Sequence, residues 1–247
     1  VEPVYRTLIG LARVSFLVQG LKFTVTGAEN IPATGGAVIA INHTGYTEFI
    51  YAHIPARKHK RYIRYMAKKD VFDNPVSGPL MRALRHIEVD RQAGADSYRN
   101  AVAALRDGEL VGVYPEATIS RSFELKEFKS GTARMAIEAQ VPIIPVVTWG
   151  GQRVWTKGHP RRLGRTNTPI SVAVGAPIPP DLPTGELTAR LKAAMQALLD
   201  QVQRDYEHEP GSYWVPARLG GTAPTLEQAN VLDLAEARER SRRARHN

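Results

Sequence analysis

A single α/β domain, with a mixed central sheet flanked by helices and an N-terminal amphipathic helix, is the architecture this sequence predicts. Two observations carry it. Short apolar runs bounded by turn residues alternate along the chain with segments of helical period. The length, 247 residues of which 43% are hydrophobic, suits one such domain with additions at its ends.

Taken in order, residues 8–18 form the first apolar stretch, interrupted by Arg13. Arg6 and Arg13 lie seven apart and share one helical face, while Leu8, Ile9, Leu11, Val14, Phe16, Leu17 and Val18 cover most of the rest. Residues 1–23 therefore read as an amphipathic helix, either lying in a membrane plane or docked on the core. Residues 37–41 follow Gly35-Gly36 as an unbroken apolar run, the mark of a buried strand. Residues 46–58 read as a helix whose regular part Pro55 ends. Strands follow at 62–67, 86–89, 110–114, 143–147 and 170–174, with helices at 75–84, 95–106 and 132–139 between them. Leu187, Leu191, Met195, Leu198 and Val202 mark the inner stripe of a long amphipathic helix. After Glu209 the chain turns rich in Pro and Gly. There Tyr213 and Trp214 are expected to anchor an otherwise loosely held segment, 209–247, with a solvated basic tail at Arg238, Arg240, Arg242, Arg243 and Arg245.

Composition narrows the chemistry. There is no cysteine, which excludes disulfides, Cys-ligated zinc and a thiol nucleophile. The net charge of +9 suits anionic lipid, phosphorylated substrate or nucleic acid equally. No aromatic-interleaved basic motif points to nucleic acid. The first apolar stretch has no cationic leader, so no cleavable signal is expected. No run reaches the ~20 apolar residues of a spanning helix.

The first informative motif is Asn42-His43-Thr44-Gly45-Tyr46-Thr47-Glu48. His43 directly follows a buried strand, Gly45 permits a sharp turn, and Glu48 falls in the first turn of the next helix. Folded back, the carboxylate fixes the tautomer of the imidazole and leaves its other nitrogen free to accept a proton. This is the base-plus-orienter part of a triad, with a substrate hydroxyl in place of an enzyme serine. Alone, such a pair is more often structural than catalytic. His43 has no second His at ligand spacing, so no metal is expected.

Asn-His followed by an acid five residues after the His resembles the first block of the glycerolipid acyltransferase family, which includes lysophosphatidate acyltransferases. The usual acid there is aspartate, and here it is Glu48. A second block is similar to residues 84–91, ending in Arg91, with Lys68 and Lys69 before it. The third, usually Pro-Glu-Gly-Thr-Arg-Ser, is matched by Pro115-Glu116-Ala117-Thr118-Ile119-Ser120. Ala117 stands where the family has glycine and Ile119 where it has arginine, and Arg121 lies two residues on. Phe128-Lys129-Ser130-Gly131 resembles the family's Phe-Lys-x-Gly at a helix start. Val141-Pro142-Ile143-Ile144-Pro145-Val146 matches the fourth block. Four blocks in order, from Asn42 to Val146, identify the chain as a member of this family.

The resemblance implies an acyltransferase domain over 24–208 and transfer of a fatty acyl chain from acyl-CoA or an acyl carrier protein to a lysophospholipid, 1-acylglycerol-3-phosphate foremost. Glycerol-3-phosphate or a glycosylated phospholipid is the alternative acceptor. A thioesterase and a non-catalytic lipid-binding homologue are the other readings. His43 and Glu48 would be catalytic. Arg91, Arg121, Lys129 and Lys68 would hold the substrate phosphate, and Glu116 and Thr118 the acceptor. Arg91 could instead pair with Asp90 or Glu88, and Lys129 could be a solvated helix start. Oxyanion donors are expected near Ile144 or the Gly45 turn. No cofactor or metal is implied. The expected place is the cytoplasmic face of the cell membrane, held peripherally or monotopically, with the membrane surface, the acyl donor and the lysophospholipid as partners and no nucleic acid.

Overall fold

The computed structural model describes residues 3–90 and 94–244. Helix α1 (Pro3–Gln19) leads into strand β1 (Lys22–Thr26). Then come β2 (Ala37–Ile41), α2 (Glu48–Ala52), β3 (Ile63–Lys68), α3 (Lys69–Asp73), α4 (Ser77–Ala83), β4 (Ile87–Val89) and α5 (Gly94–Arg106). The chain continues with β5 (Leu110–Val113), α6 (Gly131–Ala139), β6 (Ile143–Trp149), β7 (Pro169–Val174), α7 (Thr184–Arg204) and α8 (Leu226–Ala244).

The strands form one sheet in the order β1-β7-β6-β2-β5-β3-β4. From β6 to β4 all neighbours are parallel. β7 runs antiparallel to β6, and β1 pairs with β7 in parallel. The sheet is mixed, as the sequence predicts.

β2 lies in the middle and is buried along its whole length. Val38 and Ala40 pack with residues of α5, α6 and α7 on one face. Ala37, Ile39 and Ile41 pack with Tyr51 and Ala52 of α2, and with Phe16 of α1, on the other. Both faces of a central parallel strand are covered, which is why its sequence is an unbroken apolar run.

This topology puts the C-terminal ends of β6, β2, β5, β3 and β4 along one edge. Asn42 pins that edge. Its side-chain amide donates to the Thr148 carbonyl (3.0 Å) and accepts from the Thr148 amide (2.7 Å), tying the end of β2 to β6. Loops beyond this edge are where a parallel sheet presents reactive groups.

Several elements differ from the sequence reading. The helix expected over 46–58 is two pieces: α2 ends at Ala52, and Pro55 opens a separate 3₁₀ turn, Pro55–His59. In α7 the fully buried residue is Leu199, with Leu198 only partly buried. β1 is an additional edge strand whose alternating half-exposed residues carry little apolar signal. The segment 209–247 is not simply extended. Trp214 is buried as expected, but Leu226–Ala244 is helical. Of the tail arginines, Arg238 and Arg242 lie exposed on this helix, and Arg245 is outside the described residues.

Candidate active site

Five residues separate His43 from Glu48, and the turn between them brings the side chains together. His43 Nδ1 lies 3.5 Å from Glu48 Oε2, with the carboxylate 1% exposed and the imidazole side chain 19% exposed. The Thr44 hydroxyl donates to Glu48 Oε1 at 3.0 Å, holding the other carboxylate oxygen. Neither Nδ1 nor Oε2 makes a hydrogen bond among the described residues, and the 3.5 Å approach is the contact recorded between them. The tighter turn needs Gly45, since a Cβ there would sit 2.4 Å from the Trp155 carbonyl oxygen and 2.9 Å from Glu48 Oε1. Behind the imidazole, the Tyr114 ring stacks at 4.0 Å between centroids. Glu48, one methylene longer than the family's aspartate, thus still reaches the histidine.

Glu116 lies beneath this pair, 4% exposed. It accepts the backbone N–H of His43 at Oε1 (2.8 Å) and that of Lys126 at Oε2 (2.9 Å). Both oxygens are occupied by backbone, so the side chain braces the loop beyond β5 against the His43 turn. Burial pushes its carboxyl up from 4.5 to about 7, against the opposing pull of the two N–H donors. An acid with a raised folded-state value binds its proton more tightly folded than unfolded. The stability it contributes is therefore full below about pH 4.5 and declines as pH rises to about 7. Urea denaturation at pH 5 and pH 7 is expected to show a decline in the wild type that is smaller in Glu116→Gln.

The loop beyond β5 also carries Arg121, and its guanidinium is not free. Its Nε donates to Asp233 of α8 at 3.3 Å and its Nη2 to Glu236 at 2.9 Å. The phosphate contact expected of Arg121 is thus met by carboxylates. Lys126 and Lys157 join the same pair of acids. Thr118 accepts a hydrogen bond from Lys126 Nζ at 2.8 Å. Lys129 is exposed just before α6 and makes no side-chain ion pair among the described residues. Lys68 ends β3, in register with Val89, at the same edge but two strands away from β2. Arg91 lies outside the described residues. Ile144 is the second residue of β6, fully buried beside Ile39 and away from the strand ends that carry His43, which removes it as an oxyanion donor. The turn at Gly45 remains at the site. Among the described residues no group of three His, Asp or Glu side chains is gathered to hold a metal ion.

His43, its buried acid partner Glu48 and the Glu116 loop thus lie together at one sheet edge. The family model described as acyltransferase matches residues 22–149, which contain His43, Glu48, Glu116 and the five strands that run parallel from β6 to β4. The chain belongs to the acyltransferase family. It is 32% identical over 138 residues to a 1-acyl-sn-glycerol-3-phosphate acyltransferase of Bacillus subtilis, covering 54% of this chain and 67% of that one. It is 26% identical over 151 residues to the corresponding protein of Borreliella burgdorferi, covering 59% and 58%. The crystal structure of the 1-acyl-sn-glycerophosphate acyltransferase of Thermotoga maritima has the same fold, with a TM-score of 0.67 over 82% of this chain and 81% of that one at 20% identity.

This acyltransferase departs from its family's third block at Ala117, and the backbone registers it. Ala117 has φ +61°, in the left-handed region that glycine adopts without penalty. Ala117→Gly is expected to raise stability by about 1 kcal/mol, net of the added freedom of the unfolded chain. A rise of a few degrees in Tm checks it.

Sequence reasoning missed Thr44, Tyr114, Lys126 and Lys157 as site residues. Thr44 lies inside the Asn42–Glu48 motif and Tyr114 directly precedes Pro115, so their places in the sequence were the available signal. Lys157 lies far along the chain in a loop with no pattern, and only the fold brings it near. Tyr46 N–H donates to the Trp155 carbonyl (3.1 Å), and the Thr156 hydroxyl to the Thr44 carbonyl (2.6 Å).

Proposed function

We propose that this acyltransferase moves a fatty acyl chain from acyl-CoA or an acyl carrier protein to a hydroxyl of a lysophospholipid, with 1-acylglycerol-3-phosphate as the acceptor. The observation that carries the reading is the His43–Glu48 pair at 3.5 Å, with part of the imidazole open to solvent and cations close by. The names of the relatives supply the acceptor. Glu48 holds Nδ1 and its hydrogen, which leaves Nε2 to accept the hydroxyl proton. The freed oxygen attacks the thioester carbonyl. The carbon–sulfur bond then breaks, and the thiolate takes a proton from the imidazolium. No serine or cysteine intermediate is required.

Lys129, Arg121, Arg91 and Lys68 are proposed to hold the acceptor phosphate, and Thr118 and Glu116 to shape its loop. The acyl chain is assigned to an apolar cavity of about 360 Å³ between α1, α2 and α4, lined by Leu8, Phe16, Phe49, Ile54, Leu80 and Met81 among others. Phe49, which lines the cavity, follows Glu48 in α2. Each methylene buried there contributes roughly 0.8 kcal/mol.

No helix among the described residues is long and apolar enough to cross a membrane. α1 docks through Tyr5, which is buried, and leaves Leu11, Val14, Leu17 and Val18 more than half exposed. This outer face is proposed to rest on the cytoplasmic face of the membrane, held peripherally. Leu11→Asp/Leu17→Asp should weaken cosedimentation with anionic vesicles by about tenfold or more. Unchanged partition would remove α1 as the contact.

The test of the function is thiol release from palmitoyl-CoA with and without lysophosphatidic acid. Acceptor-dependent release with phosphatidic acid as product supports the proposal. Equal release without acceptor would make the chain a thioesterase.

A further inference from the structure

Among the described residues, α8 turns Ala229, Asp233 and Glu236, spaced four and three apart on one helical face, toward the rest of the chain. Ala229 is the only buried side chain among the helix's described residues. The large apolar residues Val231, Leu232 and Leu234 point to solvent, 63%, 44% and 60% exposed. A surface helix ordinarily docks by its apolar stripe. This one docks by two acids.

Those acids sit among three cations from two loops. Asp233 receives Lys126 Nζ at 2.6 Å, Lys157 Nζ at 3.2 Å and Arg121 Nε at 3.3 Å. Glu236 receives Lys157 Nζ at 2.5 Å and Arg121 Nη2 at 2.9 Å. The three cationic side chains are 15–18% exposed. Their loops leave β5 and β6, the two strands flanking β2, whose end carries His43. The Lys126 amide shares the Glu116 carboxylate with the His43 amide. A cavity of about 430 Å³ with a mixed lining opens beside them, formed by Glu116, Thr118, Lys126, Lys129 and, from α8, Leu226 and Asn230 among others.

The charges are informative. Among the recorded ion pairs of the described residues, three cations face two carboxylates. A phosphate monoester at neutral pH carries about −1.5 to −2, close to the two carboxylates together. An arginine fork with two lysine point charges is a set suited to its oxygens.

We propose that α8 is a displaceable cap: Asp233 and Glu236 occupy an anion site made by Arg121, Lys126 and Lys157, and the phosphate monoester of the acceptor enters it by displacing them. The identity of the ligand rests on the function proposed above. The site rests on the ion pairs alone. Because α8 buries so little apolar surface, its release costs mainly those pairs, which the incoming phosphate replaces.

Hydrogen exchange of the α8 amides in the full chain tests the cap without relying on turnover. Lysophosphatidate and glycerol-3-phosphate are each expected to speed that exchange about tenfold, and monoacylglycerol, which lacks the phosphate, to leave it unchanged. In the transfer assay, Asp233→Asn/Glu236→Gln should lower KM for lysophosphatidate about tenfold, with the effect in KM rather than kcat. Faster exchange in a chain that shows no acyl transfer would keep the cap and sink the proposed function. Acyl transfer with α8 equally protected at saturating lysophosphatidate, or with the same KM in the double variant, overturns the cap. Release by inorganic phosphate at the same concentration as by lysophosphatidate would assign the site to phosphate itself, with no contribution from the lipid.

Discussion

His43→Ala lowers acceptor-dependent thiol release by about a thousandfold, the middle of the range for removing a general base. The imidazole is the one group at the end of β2 with both a fixed nitrogen and an open edge. Nδ1 faces the buried Glu48 carboxylate at 3.5 Å, while the side chain remains 19% exposed. Its backbone is held independently of the side chain, by Glu116 on its N–H (2.8 Å) and by the Ser120 amide on its carbonyl (2.7 Å). Removing the ring therefore leaves the turn in place. The expected loss of stability is at most about 2 kcal/mol, which thermal unfolding can verify beside the rate. Activity that survives the substitution in folded protein would remove His43 as the base, even within this family.

Substituting Glu48 gives the second large effect. Glu48→Gln keeps the size of the side chain but presents an amide where Nδ1–H needs an acceptor, so the imidazole loses its fixed tautomer. A fall of about a hundredfold or more in kcat is expected. Glu48→Asp is the more telling variant. It restores the family's usual acid, yet here it withdraws the carboxylate by roughly 1.5 Å from both Nδ1 and the Thr44 hydroxyl. A loss of about tenfold or more is expected, because Gly45 and Thr44 have shaped this turn around the longer side chain. Wild-type activity in Glu48→Asp would mean that the turn adjusts to either acid. Full activity in Glu48→Gln would show that the carboxylate does not orient the base.

Much of the fold was legible because buried parallel strands write themselves as apolar runs. β2, at residues 37–41, coincides with its expected bounds, and β6 and α5 lie within a residue or two at one or both ends. The histidine–acid pair was legible for a different reason: its members are five residues apart, so one turn decides their meeting. β1 escaped because Lys22, Thr24 and Thr26 alternate with only two apolar residues at a half-exposed edge. α8 escaped because its inner stripe is Ala229, Asp233 and Glu236, and a stripe of acids leaves no hydrophobic period to read. The basic tail looked solvated for the same reason. Nothing local shows that two of its acidic neighbours are bound to cations more than seventy residues earlier.

By itself, then, the sequence determined the α/β class, the family and the histidine–acid pair. These depend on patterns within a strand, a turn or a short block, where chain connectivity already limits the geometry. Only the tertiary structure decided the state of the cations. Arg121 and Lys126 leave the end of β5 and Lys157 follows β6. The parallel pairing of both strands with β2 brings those loops to one edge, where α8 closes over them. A charge read from sequence has no partner until the fold supplies one. Here the fold supplied two carboxylates, and so turned an expected phosphate ligand, Arg121, into one side of a half-buried ion-pair cluster.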